Sequence, residues 1–114
     1  MTEPTIVDYA NYEFYEVANV NELPPGERIF IEVDNKQIVI FNIAGQYYAI
    51  GDVCTHDNGP LGDGELDGCQ VICPRHGARF DVRTGKAVRL PAVKPTPAYP
   101  VKVTDDAIMI GFPL

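Results

Sequence analysis

Short runs of apolar and β-branched residues, broken every few positions by Gly, Pro, Asp or Asn, make up most of this chain. In Arg28–Val33 (RIFIEV), Ile29, Ile31 and Val33 fall on one face, the period-two alternation of a half-buried strand. Gln37–Ile43 (QIVIFNI) is a second strand, and Asp34-Asn35-Lys36 between the two fits a tight hairpin turn. Tyr12–Val20 (YEFYEVANV) and Gln46–Ile50 (QYYAI), rich in aromatic and β-branched side chains, read the same way. Pro24, Pro25 and Gly26 place a turn after the first of these. Farther on, Gln70–Cys73 is a brief strand, Ala78–Val82 and Lys86–Leu90 form a hairpin around Arg83-Thr84-Gly85, and Val101–Thr104 and Ala107–Phe112 join through Asp105-Asp106. Four prolines between positions 91 and 100 keep that segment out of helices and central strands. No stretch carries three turns of helical periodicity. The expected fold class is all-β, an antiparallel sandwich or barrel of short strands.

The pattern lapses between Asp52 and Gly68, where Gly and Asp replace the β-branched residues. This predicts loop, and residues 53–90 read as a small subdomain inserted into the β scaffold. With 114 residues, positions 1–114 are expected to form one domain, with a loose tail over 1–10. A long loop inside a compact domain generally carries function.

Charge narrows the partners. Sixteen acidic residues against nine basic ones give a net charge of −7, which disfavours nucleic acid and anionic membranes. A basic patch on another protein is the better electrostatic match. No run of about 18 apolar residues and no secretory leader is present, so the expected location is cytoplasmic. Three cysteines cannot all pair, which argues for metal binding or a reactive thiol over a disulfide framework.

All three cysteines and both histidines lie between Cys54 and His76. Cys54-Thr55-His56 and Cys73-Pro74-Arg75-His76 each set a histidine close behind a cysteine, with sixteen residues (57–72) between the pairs. Two thiolates and two imidazoles make a full ligand set. Zinc accepts such a set tetrahedrally, although zinc fingers usually group cysteines with cysteines and histidines with histidines. An iron–sulfur cluster with mixed ligands is the other reading, and unrelated residues the third.

CTH followed by CPRHG, together with HGARFDVRTGKA and the later YPVKV, resembles the Rieske [2Fe–2S] ferredoxins. The resemblance implies a Rieske-type fold holding one [2Fe–2S] cluster, with Cys54 and Cys73 on one iron and His56 and His76 on the other. It implies a soluble one-electron carrier, not an enzyme, taking electrons from an NAD(P)H-dependent flavin reductase and passing them to a terminal oxygenase such as an aromatic-ring-hydroxylating dioxygenase. A monomer is expected. A small subunit of an NADH-dependent nitrite reductase is an alternative setting, and a zinc-stabilised interaction module an alternative class.

Mixed ligation has a reason in charge. Two ferric ions, two sulfides and two thiolates sum to zero when the other ligands are neutral imidazoles, so an added electron meets no net negative charge. This places Rieske centres at about −150 to +300 mV, against about −400 mV for plant-type ferredoxins. High-potential members of the family carry a disulfide between the ligand loops, where Gly59 and Arg75 stand in this chain, and hydroxyl donors where Ala78 and Phe80 stand. The resemblance therefore implies a potential near the low end, with Asp57, Asp63, Glu65 and Asp67 opposing reduction further. Gly62, Gly64, Gly68 and Gly77 are expected to shape turns near the cluster, Pro74 the second ligand loop, and Pro91 and Ala92 a covering loop. Cys69 is expected to be a packing residue. Arg75 and Arg79 read equally as docking charges or as solvated side chains. Tyr12, Phe14, Tyr15, Phe30, Phe41, Tyr47 and Tyr48 read as core and rim.

Overall fold

A computed structural model describes residues 11–114. The expected tail at 1–10 lies outside the described residues. Eleven strands follow in order: β1 (Tyr12–Asn19), β2 (Arg28–Val33), β3 (Lys36–Ile43), β4 (Gln46–Gly51), β5 (Leu66–Asp67), β6 (Gln70–Ile72), β7 (Arg79–Asp81), β8 (Ala87–Arg89), β9 (Ala98–Tyr99), β10 (Val101–Thr104) and β11 (Ala107–Pro113). They form three antiparallel sheets, ordered β1-β11-β10, β2-β3-β4-β9 and β5-β6-β7-β8. The all-β expectation holds. Among the described residues no helix is long and apolar enough to cross a membrane.

Strand β3 explains the layering. Ile38 through Asn42 are buried without a break, so this strand is covered on both faces, which is why IVIF reads as a continuous apolar run. Ile38 and Ile40 point into one core with Ala18 of β1, Leu23, Ala49 of β4, and Ile108, Ile110 and Phe112 of β11. Val39 and Phe41 point the other way, into a second core with Ile50, Leu61, Val71, Phe80, Val82 and the thiols Cys54 and Cys73. The second core thus fastens the candidate site to the scaffold. Phe41 and Phe80 are fully buried there, each worth about 1.5–3 kcal/mol of apolar transfer. The one polar side chain on this strand's buried run is satisfied: Asn42 Nδ2 donates to the Leu23 carbonyl at 2.9 Å, and its Oδ1 accepts from Gly45 N at 2.8 Å.

The hairpin turns behave as their residues dictate. Asp34 and Asn35 take φ of 55° and 64°, and Asp105 and Asp106 take 50° and 66°. Positive φ at both central positions gives turns whose twist matches that of the flanking strands. Three details differ from the sequence expectation. Val20–Glu22 form a 3₁₀ turn capped by Asn19. Leu66–Asp67 pair with Gln70–Val71 inside the segment expected to be loop. Ala98–Tyr99 form a strand within the proline-rich stretch, but at the sheet's edge, where a missing amide donor is tolerated.

Candidate metal centre

Cys54 stands three residues beyond β4, and Cys73 directly follows β6. Each opens a loop closed in the same way. Cys54 N donates to the Gly59 carbonyl at 2.8 Å, and Cys73 N to the Ala78 carbonyl at 2.7 Å, five residues on in both cases. Each cysteine carbonyl in turn accepts from the residue four positions on, Asn58 at 2.7 Å and Gly77 at 3.0 Å. Asn58 and Gly77 both have positive φ, 61° and 75°. Asn and Gly are the residues that accept this conformation most readily. The mirrored sequence pairs are therefore mirrored loops.

The loops bring the four residues together. Sulfurs of Cys54 and Cys73 lie within 4.8 Å of each other, as do ring nitrogens of His56 and His76. The thiols are buried at 0% and 1% relative exposure, while both histidines are exposed. The imidazole rings stand 5.0 Å apart at 81°. Burial pushes the Cys54 thiol pKa up, and the backbone amides of His56 and Asp57, which donate to its sulfur, oppose that shift. Amides directed at a sulfur stabilise negative charge on it. The pocket thus has a dry sulfur floor and a wet nitrogen rim.

Asp57 and Arg75 lie between the loops. Arg75 Nε and Nη2 both donate to the Asp57 carboxylate, the latter at 2.8 Å, and Arg75 Nη1 donates to the Pro60 carbonyl at 2.8 Å. Gly59 N also donates to Asp57 Oδ1, at 3.0 Å. The guanidinium holds the Asp57 carboxyl well below the usual carboxylate range, and Arg75 is pushed above its ordinary value in return. Asp57 is accordingly not the free negative charge that its sequence position suggests. Asp67 is paired too, with Arg79 Nη1 at 2.7 Å. Asp63 and Glu65 are exposed.

Sequence reasoning missed two supports. Asp52 Oδ1 accepts from Leu61 N at 2.9 Å and Gly62 N at 2.6 Å, and Arg28 Nη1 donates to the carbonyls of Gly62 and Gly64. Arg28 opens β2, far from the ligand motifs in the sequence, and Asp52, two residues before Cys54, carries no pattern that marks it as a support. Gly64 closes a turn, its N donating to the Leu61 carbonyl at 3.1 Å, and also has no room for a side chain, since a Cβ there would sit 1.8 Å from the Ile72 carbonyl oxygen. Pro91 and Ala92 lie in a third segment against the site. Ala92 is buried in the core that holds both thiols, and Thr55 Oγ1 donates to the Lys94 carbonyl. Cys69 is half-buried and packs against the same core.

Comparison with known proteins agrees with this geometry. A family described as "Rieske [2Fe-2S] domain" matches residues 13–100. The ferredoxin component of the naphthalene 1,2-dioxygenase/salicylate 5-hydroxylase systems of Ralstonia sp. is 36% identical over 95 residues, 83% of this chain and 91% of that one. The ferredoxin of carbazole 1,9a-dioxygenase from Nocardioides aromaticivorans IC177 superposes with a TM-score of 0.80 at 33% identity, covering 85% of this chain and 95% of that chain. A solved complex of reduced oxygenase and oxidised ferredoxin in carbazole 1,9a-dioxygenase matches with a TM-score of 0.78 at 28% identity, covering 85% and 91%.

Proposed function

This chain belongs to the Rieske [2Fe–2S] domain family, and on that premise we propose that Cys54 and Cys73 hold one iron of its cluster through sulfur and His56 and His76 the other through ring nitrogen. The observation that carries this reading is the pairing of two buried thiols with two exposed imidazoles on twin loops. The donors fit the group: two thiolates balance the charge of a core of two ferric ions and two sulfides, and neutral rings add no charge. The Asp57 carboxylate is within reach of both pairs but is taken up by Arg75 and Gly59 N, which leaves two sulfurs and two nitrogens free to ligate. When bound, the cluster supplies reversible one-electron chemistry. The zinc reading gives way to the family's cluster.

The protein is an electron-carrying ferredoxin component of an oxygenase system, as its relatives are. Its partners are a flavin-dependent reductase and a terminal oxygenase, met transiently by a monomer in the cytoplasm. Three features of this chain support such encounters. The exposed edges of His56 and His76 give a partner a short approach to the redox site. Leu90 and Val93, 72% and 74% exposed, flank Ala92 on the covering segment and offer apolar contact. A depression of about 420 Å³ beside Cys73 and Pro74 is lined by Asp63 and Glu65, a match for basic side chains.

The test is reconstitution. Purified protein should contain iron and acid-labile sulfide in equal amounts and lose its visible colour on reduction. With a cognate reductase and oxygenase it should restore NADH-dependent substrate oxidation. His56→Ala and His76→Ala should abolish the cluster spectrum. Iron without labile sulfide, or a histidine variant with an unchanged spectrum, contradicts the assignment. Co-purification with a large haem subunit would indicate the nitrite-reductase setting instead.

A further inference from the structure

The two ligand loops are each closed by their own backbone bonds, Cys54 to Gly59 and Cys73 to Ala78. Those bonds do nothing to hold one loop against the other. Among the described residues, apart from the contacts of the thiols and imidazoles themselves, the hydrogen bonds that cross between the loops come from one side chain, Arg75. All three guanidinium nitrogens are engaged across the gap. Nε and Nη2 fork onto the two Asp57 oxygens and Nη1 reaches the Pro60 carbonyl. The plane lies over Gly59 so closely that a Cβ there would stand 2.7 Å from both the guanidinium carbon and Nη2. Arg75 thus fills a space that Gly59 leaves open. Both ends of the clamp adjoin proposed ligands: Asp57 follows His56 and Arg75 precedes His76.

We infer that Arg75 is a positioning residue: its guanidinium, forked onto Asp57 and anchored on the Pro60 carbonyl, clamps the two ligand loops together and governs how long the protein retains its cluster. The inference rests on the ligand assignment proposed above. A fork is needed as well as a charge. Two parallel N–H···O bonds fix orientation as well as distance, whereas an ammonium makes a point contact free to pivot. If the loops part, the thiols are exposed to water and the four donors no longer converge.

The experiment follows the visible absorbance of the loaded protein in excess iron chelator. Arg75→Gln, Asp57→Asn and Arg75→Lys should each shorten the half-life of the cluster roughly tenfold. Gly59→Ala should do the same, because it displaces the guanidinium while leaving both charges and every proposed ligand in place. The Arg75→Gln/Asp57→Asn double variant should lose its cluster no faster than either single variant, since each alone opens the same clamp. Far-UV melting midpoints should stay close to that of the unsubstituted protein, because a half-exposed surface pair contributes little to global stability.

Retention at the original half-life in Arg75→Lys and Gly59→Ala overturns the clamp and leaves only a charge. Additive losses in the double variant overturn it as well, as do losses that track a fall in melting midpoint. Should Arg75→Gln fail to fold, Gly59→Ala and Asp57→Asn carry the same decision. The starting protein separates this inference from the ligand assignment. No labile sulfide there defeats the assignment, whereas a normal cluster indifferent to every clamp variant defeats the clamp alone.

Discussion

Ala78 and Phe80 are fully buried in the core that holds both thiols, and neither carries a hydroxyl. Hydrogen bonds to cluster and ligand sulfurs stabilise the reduced state, so their absence lowers the potential. The expected midpoint is about −150 mV, the low end for mixed cysteine–histidine ligation. Phe80→Tyr and Ala78→Ser should each raise it, read by voltammetry against the unsubstituted protein. A midpoint above zero, or one that these substitutions leave unmoved, contradicts the roles given to the two side chains. The proposed ligands themselves were legible in the sequence, because every His and Cys of the chain falls in one stretch. The pairing of Asp57 with Arg75 was not. They stand eighteen positions apart, and only the folding of both loops onto one core brings their charges into contact. What the sequence did offer was position: Gly59 and Arg75, matched through the family resemblance to a pair of bridged positions, do lie against each other.

At the scale of elements, legibility followed periodicity. Strands β2, β3, β10 and β11 carry alternation or continuous apolar runs over several residues, and their turns carry Asp and Asn at the positions of positive φ. Strand β5 has two residues, too few for any period to register, and it exists because the turn at Gly68 (φ 60°) folds it back onto β6. The β7–β8 turn carries a pH prediction. Asp81 Oδ1 accepts from Arg83 N at 2.8 Å and from Arg83 Nε at 3.0 Å, and Oδ2 accepts from Arg83 Nη2 at 2.9 Å. These bonds hold the Asp81 carboxyl below its ordinary value. A carboxyl depressed in the folded state stabilises the fold above the unfolded carboxylate pKa of about 3.9 and ceases to do so as pH falls through the lower folded value. Melting midpoints followed by circular dichroism should therefore drop as pH falls below about 4. Asp81→Asn should lower the midpoint at neutral pH and flatten the acid decline. An equally steep decline in Asp81→Asn would show that this turn contributes nothing to the acid response.

For the whole molecule, the layered β scaffold sets a redox site at one surface and surrounds it with two kinds of contact. Leu90 and Val93 are apolar and exposed, while the net charge of −7 extends an acidic field around the protein. On the docking proposed above, the apolar pair would govern how long a partner stays and the field how fast it arrives. Replacing both Leu90 and Val93 by Ser should slow electron delivery to the cognate oxygenase several-fold. The visible spectrum and midpoint should stay unchanged. Raising the ionic strength should slow the same transfer through screening. Transfer insensitive to both changes would place the docking surface elsewhere on the molecule. Mixed ligation can be tested cleanly in this chain, because its only two histidines are the proposed ligands. Pulsed electron paramagnetic resonance of the reduced protein, grown with ordinary and with ¹⁵N-labelled histidine, measures it directly. Nitrogen couplings from two imidazoles that convert to the ¹⁵N pattern on labelling are the predicted result; a reduced cluster without histidine nitrogen coupling would rule out His56 and His76 as ligands.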